Sequence, residues 1–264
     1  MIQRSTIWTA LIGVIAFALP VRGQNPPTRP PAIEPKADEL LRRTSAVLSG
    51  ATQYTFEAHD LIDEILPSGQ KVQFASTRHY SVHRPNRVRL VIDGDLVQDR
   101  IWYNGKTLTI LNTEENTYGS IEVPGTIDEL FDFIVERYGI VVPLADLLFS
   151  DMYGVTVGGI RAGHYLGLHR VGDDLCHHLT FRQDAVDWQL WIQDGDQPVP
   201  RKLVITYKAM PGQPQYTALF DHWNLRADLA DGLFQFEAPA GAKEIDFEPM
   251  VTDPRSGRGS SPNP

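Results

Sequence analysis

The sequence predicts an α+β fold: one antiparallel sheet laid down as a meander, with one helix before it and a pair of helices in its middle. Three observations carry this. Segments of alternating apolar and polar residues recur along most of the chain, each bounded by Gly, Pro, Asn or Asp. An amphipathic stretch with helical spacing precedes them, and a second one interrupts them near residue 130. Sequential hairpins place neighbouring strands antiparallel, whereas a parallel sheet needs a long crossover after every strand.

The chain opens with "MIQRSTIWTALIGVIAFALPVRGQ", in which Arg4 precedes an uncharged run from Ser5 to Val21. A basic start, a short apolar run and small residues near Gly23 read as a secretory signal peptide, residues 1–23, cleaved near Gly23. The alternative is an uncleaved anchor, but Thr6, Thr9 and Pro20 interrupt a run already short for a membrane span. Cleavage removes Arg4 and Arg22 and no acid, which takes the net charge from −9 to −11. Such a surface repels phosphate backbones, and no basic stripe offsets it, so nucleic acid is not an expected partner. The one cysteine, Cys176, excludes an internal disulfide, so the fold rests on its core.

Residues 24–35 are a proline-rich spacer ("NPPTRPPAIEP" from Asn25), and residues 248–264 form a Gly/Ser/Pro-rich tail expected to be disordered. Between them, residues 36–247 read as one domain. A helix is expected over about Pro35–Ser49, where Ala37, Leu40, Leu41, Thr44, Val47 and Leu48 share a face and Gly50 stops it. Strands follow in "YTFEAHDLIDEIL", "KVQFASTRHYSVH", "RVRLVID", "LVQDRIWY", "KTLTIL" and "TYGSIEV". Asn104-Gly105 is the strongest of the hairpin signals between them. Thr126 and Glu129 have capping-box spacing ahead of an apolar stripe (Ile127, Leu130, Phe131, Ile134, Val135, Tyr138), and Gly139 ends that helix. A second short helix, "PLADLLFSD", is expected from Pro143. Strands resume near Tyr165 and run through "LCHHLTFRQ", "VDWQLWIQ", "RKLVITYKA" and "QYTALFDHWNL", with a last short one at Phe234–Phe236.

Reactive side chains cluster most densely in "LCHHLTFRQDAVDWQLWIQDG", Leu175–Gly195. A strand period of two separates them, sending His177 and His178 to opposite faces, so they do not share one metal. Cys176 and His178 remain as a thiol–imidazole pair, facing Asp187 or Gln189 across the hairpin. They have no third catalytic group, no oxyanion site and too few ligands for structural zinc. Asp60 and Glu64 share a face that Asp63 opposes, and this acidic run reads as solvated. His222-Trp223 and His79-Tyr80 read as ordinary strand residues. The glycines of "VTVGGIRAGHY" lack phosphate-loop spacing. No catalytic residue, metal ligand or cofactor is therefore expected.

The order of these elements resembles the periplasmic LolA/LolB-like superfamily, whose members wrap an open half-barrel around helices that plug its concave side. More closely, the chain is similar to a family of predicted periplasmic proteins catalogued as domain of unknown function 2092. The stretches that carry the resemblance are Tyr103–Leu111, Gly125–Asp151, Cys176–Lys208 and Phe234–Ile245. It implies a periplasmic location and an antiparallel half-barrel sheet wrapped around the N-terminal helix and a central helical lid. It also implies a non-catalytic role: holding a lipid, an acyl chain or a lipoprotein, with no membrane span after signal cleavage. Strand faces rich in large apolar groups supply the expected lining: Tyr54 and Phe56; Val88, Leu90 and Ile92; Trp188, Leu190 and Ile192; Leu203, Ile205 and Tyr207. Leu130, Phe131, Ile134, Leu147 and Leu148 supply the lid. The same residues also suit a solid core. Two other readings stand beside this one: an envelope interaction or sensor module using the sheet edge or lid, and chemistry at Cys176 and His178.

Overall fold

The computed structural model describes residues 32–140 and 142–247. The expected signal peptide, residues 24–31 of the expected spacer and the expected tail lie outside the described residues. A short strand β1 (Ala32–Ile33) leads into helix α1 (Pro35–Gly50). Six strands follow: β2 (Gln53–Ile65), β3 (Lys71–His83), β4 (Arg87–Gly94), β5 (Gln98–Tyr103), β6 (Thr107–Asn112) and β7 (Thr117–Glu122). The chain then leaves the sheet through helix α2 (Ile127–Tyr138), a one-turn 3-10 helix (Ala145–Leu147) and helix α3 (Met152–Val157). It returns in β8 (Ala162–Val171), β9 (Asp174–Arg182), β10 (Val186–Gln193), β11 (Pro200–Tyr207) and β12 (Gln215–Asn224), and ends in β13 (Lys243–Glu244).

All thirteen strands form one open, curved sheet in the order β1-β8-β9-β10-β11-β12-β2-β3-β4-β5-β6-β7-β13. Two meanders, β2–β7 and β8–β12, join where β12 pairs antiparallel with β2, Phe220 opposite Ala58. Only the two-residue strands at the edges, β1 on β8 and β13 on β7, pair parallel. The fold is thus an α+β half-barrel, antiparallel throughout its body.

Burial alternates along the strands as a period of two demands. In β10, Val186, Trp188, Leu190 and Ile192 are buried while Asp187, Gln189, Trp191 and Gln193 are only partly covered. The inward faces line the concave side, where α1 lies with Leu40, Leu41 and Leu48 fully buried. Around Phe56 the core is a ring stack: Tyr80 and Trp223 each lie with centroids 4.4 Å away. Trp223 reaches this stack because β12 bulges between Asp221 and Asn224, with His222 at φ 53°. His222-Trp223 is therefore a bulge and not regular strand, which corrects the plain alternation read from the sequence.

Other expectations change as well. The helix expected from Pro143 shrinks to the 3-10 turn Ala145–Leu147, because Leu144 enters it in the left-handed conformation (φ 67°). Helical hydrogen bonding restarts only when Asp151 caps α3, its carboxylate accepting from the Gly154 amide at 2.9 Å. In place of a strand at Phe234–Phe236 there is a 3-10 turn over Asp231–Phe234 that buries the Phe234 ring completely. The final strand lies further on, at β13, where the Lys243 amide donates to the Asn116 carbonyl.

Asp60 is not solvated. It follows Tyr54, Phe56 and Ala58 on the inward face of β2, is 3% exposed, and pairs with Arg78 of β3. Buried Tyr80 and Tyr216 flank the pair. Burial pushes the Asp60 carboxyl up, and the adjoining guanidinium opposes that rise. A buried pair of this kind stabilises little as a unit, yet leaves a stranded charge when one partner is removed. Arg78→Met is expected to destabilise the protein by about 3–5 kcal/mol in urea unfolding. The double variant Asp60→Leu/Arg78→Met should recover to within about 1 kcal/mol of the parent; equal damage in both would contradict the pairing.

Asp99 of β5 is 2% exposed and accepts one hydrogen bond from the Asn112 amide at 3.1 Å. Burial pushes its carboxyl up to about 7, against 3.8 when exposed in the unfolded chain. Between those values the folded state holds a proton that the unfolded state releases, so stability from this group falls as pH rises from 3.8 to about 7. Asp99→Asn should flatten that decline, measured as urea midpoints at acidic and neutral pH. An unaltered slope would show that another group causes it.

Candidate functional site

The helices do not fill the concavity. A cavity of about 150 Å³ lies over β10, β11 and β12, walled by Val186, Trp188, Leu190, Leu203, Ile205, Tyr207 and Phe220. Leu41 of α1, Met152 and Thr156 of α3, and Gln183 close its sides, while Val142, Pro143, Leu144, Asp146 and Leu147 form its roof. A second cavity, about 60 Å³, lies over β3 to β6. Arg78, Tyr80, Val88, Leu90, Ile101, Tyr103, Leu108 and Ile110 floor it, and Leu130, Phe131 and Ile134 of α2 with Ala145 and Leu148 cover it. Val142 and Pro143 border both cavities. The segment that links α2 to the 3-10 turn thus borders both cavities, and the packed rings of β2 lie between the strands that floor them.

Of the residues expected to line a site, Trp188, Leu190, Leu203, Ile205, Tyr207 and Leu147 surround the larger cavity. Val88, Leu90, Leu130, Phe131, Ile134 and Leu148 surround the smaller one. Tyr54, Phe56, Ile92 and Ile192 border neither; they are 0–2% exposed in the packed core. The sequence reading misses the lining supplied by Leu41, Met152, Phe220 and the roof residues Leu144 and Asp146. Those positions, Phe220 apart, come from helices and turns whose approach to the sheet is set by tertiary packing. Phe220 alone carries a legible signal, as a large inward-facing residue of a central strand.

The roof is pinned at one end. The Arg84 guanidinium donates to the Leu148 carbonyl at 2.6 Å and the Phe149 carbonyl at 3.2 Å, and also reaches the Tyr54 hydroxyl at 3.1 Å. That hydroxyl donates to the Leu147 carbonyl at 3.3 Å, and Asp128 accepts from the Ser150 amide at 2.9 Å. These bonds satisfy carbonyls that the end of a helical turn leaves open. At the other end, Ala145 donates to Val142 at 3.2 Å and Leu147 to Leu144 at 3.0 Å, bonds internal to the turn itself.

A family model described as "Predicted periplasmic protein (DUF2092)" matches residues 37–248. The chain belongs to this family. Among curated proteins nothing matches. Among solved structures, an uncharacterized conserved protein from Thermus thermophilus is similar over 80% of this chain and 99% of its own, at 12% identity and TM-score 0.46. The Mycobacterium tuberculosis lipoprotein LppX covers 75% of this chain and 100% of its own, at 10% identity and TM-score 0.44. A LolA superfamily protein from Nitrosomonas europaea covers 76% and 97%, at 10% identity and TM-score 0.39.

In this family member Cys176, His177 and His178 line neither cavity, although the hairpin that carries them gives Trp188 and Leu190 to the larger one. His178 bonds His169 and Gln189, each at 3.0 Å, and stacks on Trp191 with ring centroids 3.9 Å apart. Gln189, not Asp187, is thus its partner across the hairpin. His177 instead meets the Tyr165 hydroxyl at 3.0 Å and Asp194 at 3.0 Å. Burial pushes the Cys176 thiol up to about 11, the wrong direction for a nucleophile, and its sulfur approaches the Asp174 carbonyl and not His178. Among the described residues no three or more His, Cys, Asp or Glu side chains are placed to hold a metal ion.

The one-sided pinning of the roof makes a local prediction. Arg84→Met should speed amide exchange across residues 144–149 by about tenfold or more while exchange in β2 and β3 stays unchanged. Uniform acceleration would assign Arg84 to global stability, and no change would remove its role as a clamp.

Proposed function

We propose that this protein is an exported, non-catalytic carrier of the cell envelope that holds an apolar chain, from a lipid or an acylated protein, between its curved sheet and its helical roof. One observation supports this above all: two mostly apolar cavities lie between sheet and helices, and Val142 and Pro143 border both. The family description supports a periplasmic setting, and the N-terminal sequence supports export with cleavage near Gly23. Among the described residues no helix is long and apolar enough to cross a membrane. The reading involves no covalent step and no cofactor.

Magnitudes set what these cavities can hold. An apolar cavity of about 150 Å³ accommodates a benzene-sized group, so the larger one takes about six carbons. At ~0.8 kcal/mol per methylene that is about 5 kcal/mol, a sub-millimolar interaction. Micromolar affinity needs about ten methylenes, so the chain must extend beyond the larger cavity. The interaction-module alternative has weaker support. It would use the edges of the sheet, where β1 pairs only with Ala162 and Gly163 of β8 and β13 only with Thr117 and Tyr118 of β7, whereas the carrier reading has an apolar space already lined by side chains.

Trp188 in the cavity wall provides the readout. Titration with alkyl chains of increasing length should change its fluorescence, with affinity rising about threefold to fourfold per methylene until the cavity is full. Leu190→Asp should abolish the response, and native mass spectrometry of protein isolated from its own envelope should show an acyl adduct. Absence of both signals in the parent protein would rule the carrier reading out.

A further inference from the structure

The roof of the larger cavity carries one charge. Asp146, on the 3-10 turn, is the only charged side chain among the residues lining that space; Thr156, Gln183 and Tyr207 are polar but neutral. It is exposed and is one of the residues that wall the cavity. Among the described residues it has no hydrogen-bond or ion-pair partner. Its neighbours differ: Asp128 accepts from the Ser150 amide and Asp151 from the Gly154 amide, each at 2.9 Å. A capping role does not explain Asp146 either, because a turn of three residues has almost no dipole to complement.

Protein packed around the Asp146 carboxyl pushes its pKa up although part of the side chain stays in water, and among the described residues no cation offsets that rise. Lys208, the lysine beside the cavity wall, is already committed to the Gln183 carbonyl and Asp187, each at 2.7 Å. An acceptor set over an apolar space without a donor of its own is the arrangement that recognises a donor on a ligand.

Resting on the carrier reading above, we infer that the larger cavity selects amphiphiles whose polar end bears a hydrogen-bond donor, a hydroxyl or an ammonium, and discriminates against chains that end in a carboxylate. The tail fills the cavity between Trp188 and Leu203, and the polar end meets Asp146 at the roof. An anionic end in the same position meets like charge at short range. Hydroxyl-ended and ammonium-ended lipids share the chemistry and are separated by experiment.

Three probes with the same twelve-carbon tail suffice: dodecylamine, monolauroylglycerol and dodecanoate, each titrated below its micelle concentration against Trp188 fluorescence at neutral pH. The parent protein should bind dodecylamine or monolauroylglycerol about tenfold more tightly than dodecanoate. If the amine leads, the natural end group is ammonium; if the two lead together, it is hydroxyl. Asp146→Asn, which keeps shape and an acceptor, should bring dodecanoate to within about threefold of dodecylamine while monolauroylglycerol changes little. Asp146→Leu should weaken monolauroylglycerol as well. Equal or tighter binding of dodecanoate by the parent protein, or an Asp146→Asn variant with unchanged ranking, overturns the selection. If none of the three probes binds the parent protein, the carrier reading fails with it, which is a separate result from binding without discrimination.

Discussion

A thirteen-strand sheet that does not close on itself must bury one large apolar face, and among the described residues three α-helices are available to cover it, the longest of 16 residues. That mismatch governs the molecule. Helix α1 settles where Leu40, Leu41 and Leu48 are fully buried, α2 covers the β3–β6 side, and α3 the side near β10. What they leave uncovered is two cavities, one on each side of the packed rings around Phe56. Interiors of proteins are normally packed to crystal density, so an apolar space costs stability unless something occupies it.

The polar groups on the concave side fit the same constraint. Asp60 and Arg78 pair in the interior, and Arg78 also floors the smaller cavity, so the floor of that cavity near β3 is polar while the rest of it is oily. Arg84 works from the rim. It holds the carbonyls where the roof re-enters the fold, whereas among the described residues the Val142–Leu144 side has the backbone bonds of its own turn.

Much of this is legible in the sequence, because period-two alternation needs no tertiary information. The strand faces of β4, β10 and β11 follow directly from Val88-Leu90, Trp188-Leu190 and Leu203-Ile205. The start of α2 is also local: the Glu129 amide donates to the Thr126 hydroxyl at 3.2 Å, and Gly139 ends the helix at φ 65°. Periodicity gives the face but neither the height along a strand nor which strand lies under a cavity: Ile92 and Ile192 share strands with lining residues yet sit in solid core, and Tyr54 and Phe56 belong to β2, which lines neither cavity. Asp60 defeats the sequence reading although its signal is present: it continues the inward set Tyr54, Phe56, Ala58, and acidity alone argues for solvent. The bulge at His222 and the left-handed Leu144 have no local signature, since surrounding packing imposes them. The Asp146 roof position depends on the second of these.

The central claim is that an apolar chain lies between sheet and roof, and its most direct test is crystallographic. Crystals grown with a twelve-carbon chain brominated at its tail should give an anomalous bromine peak inside a cavity, against Trp188 and Leu203 or beyond Val142 and Pro143. Bromine found only on the convex face, or side-chain-filled cavities that exclude the chain, would contradict the account.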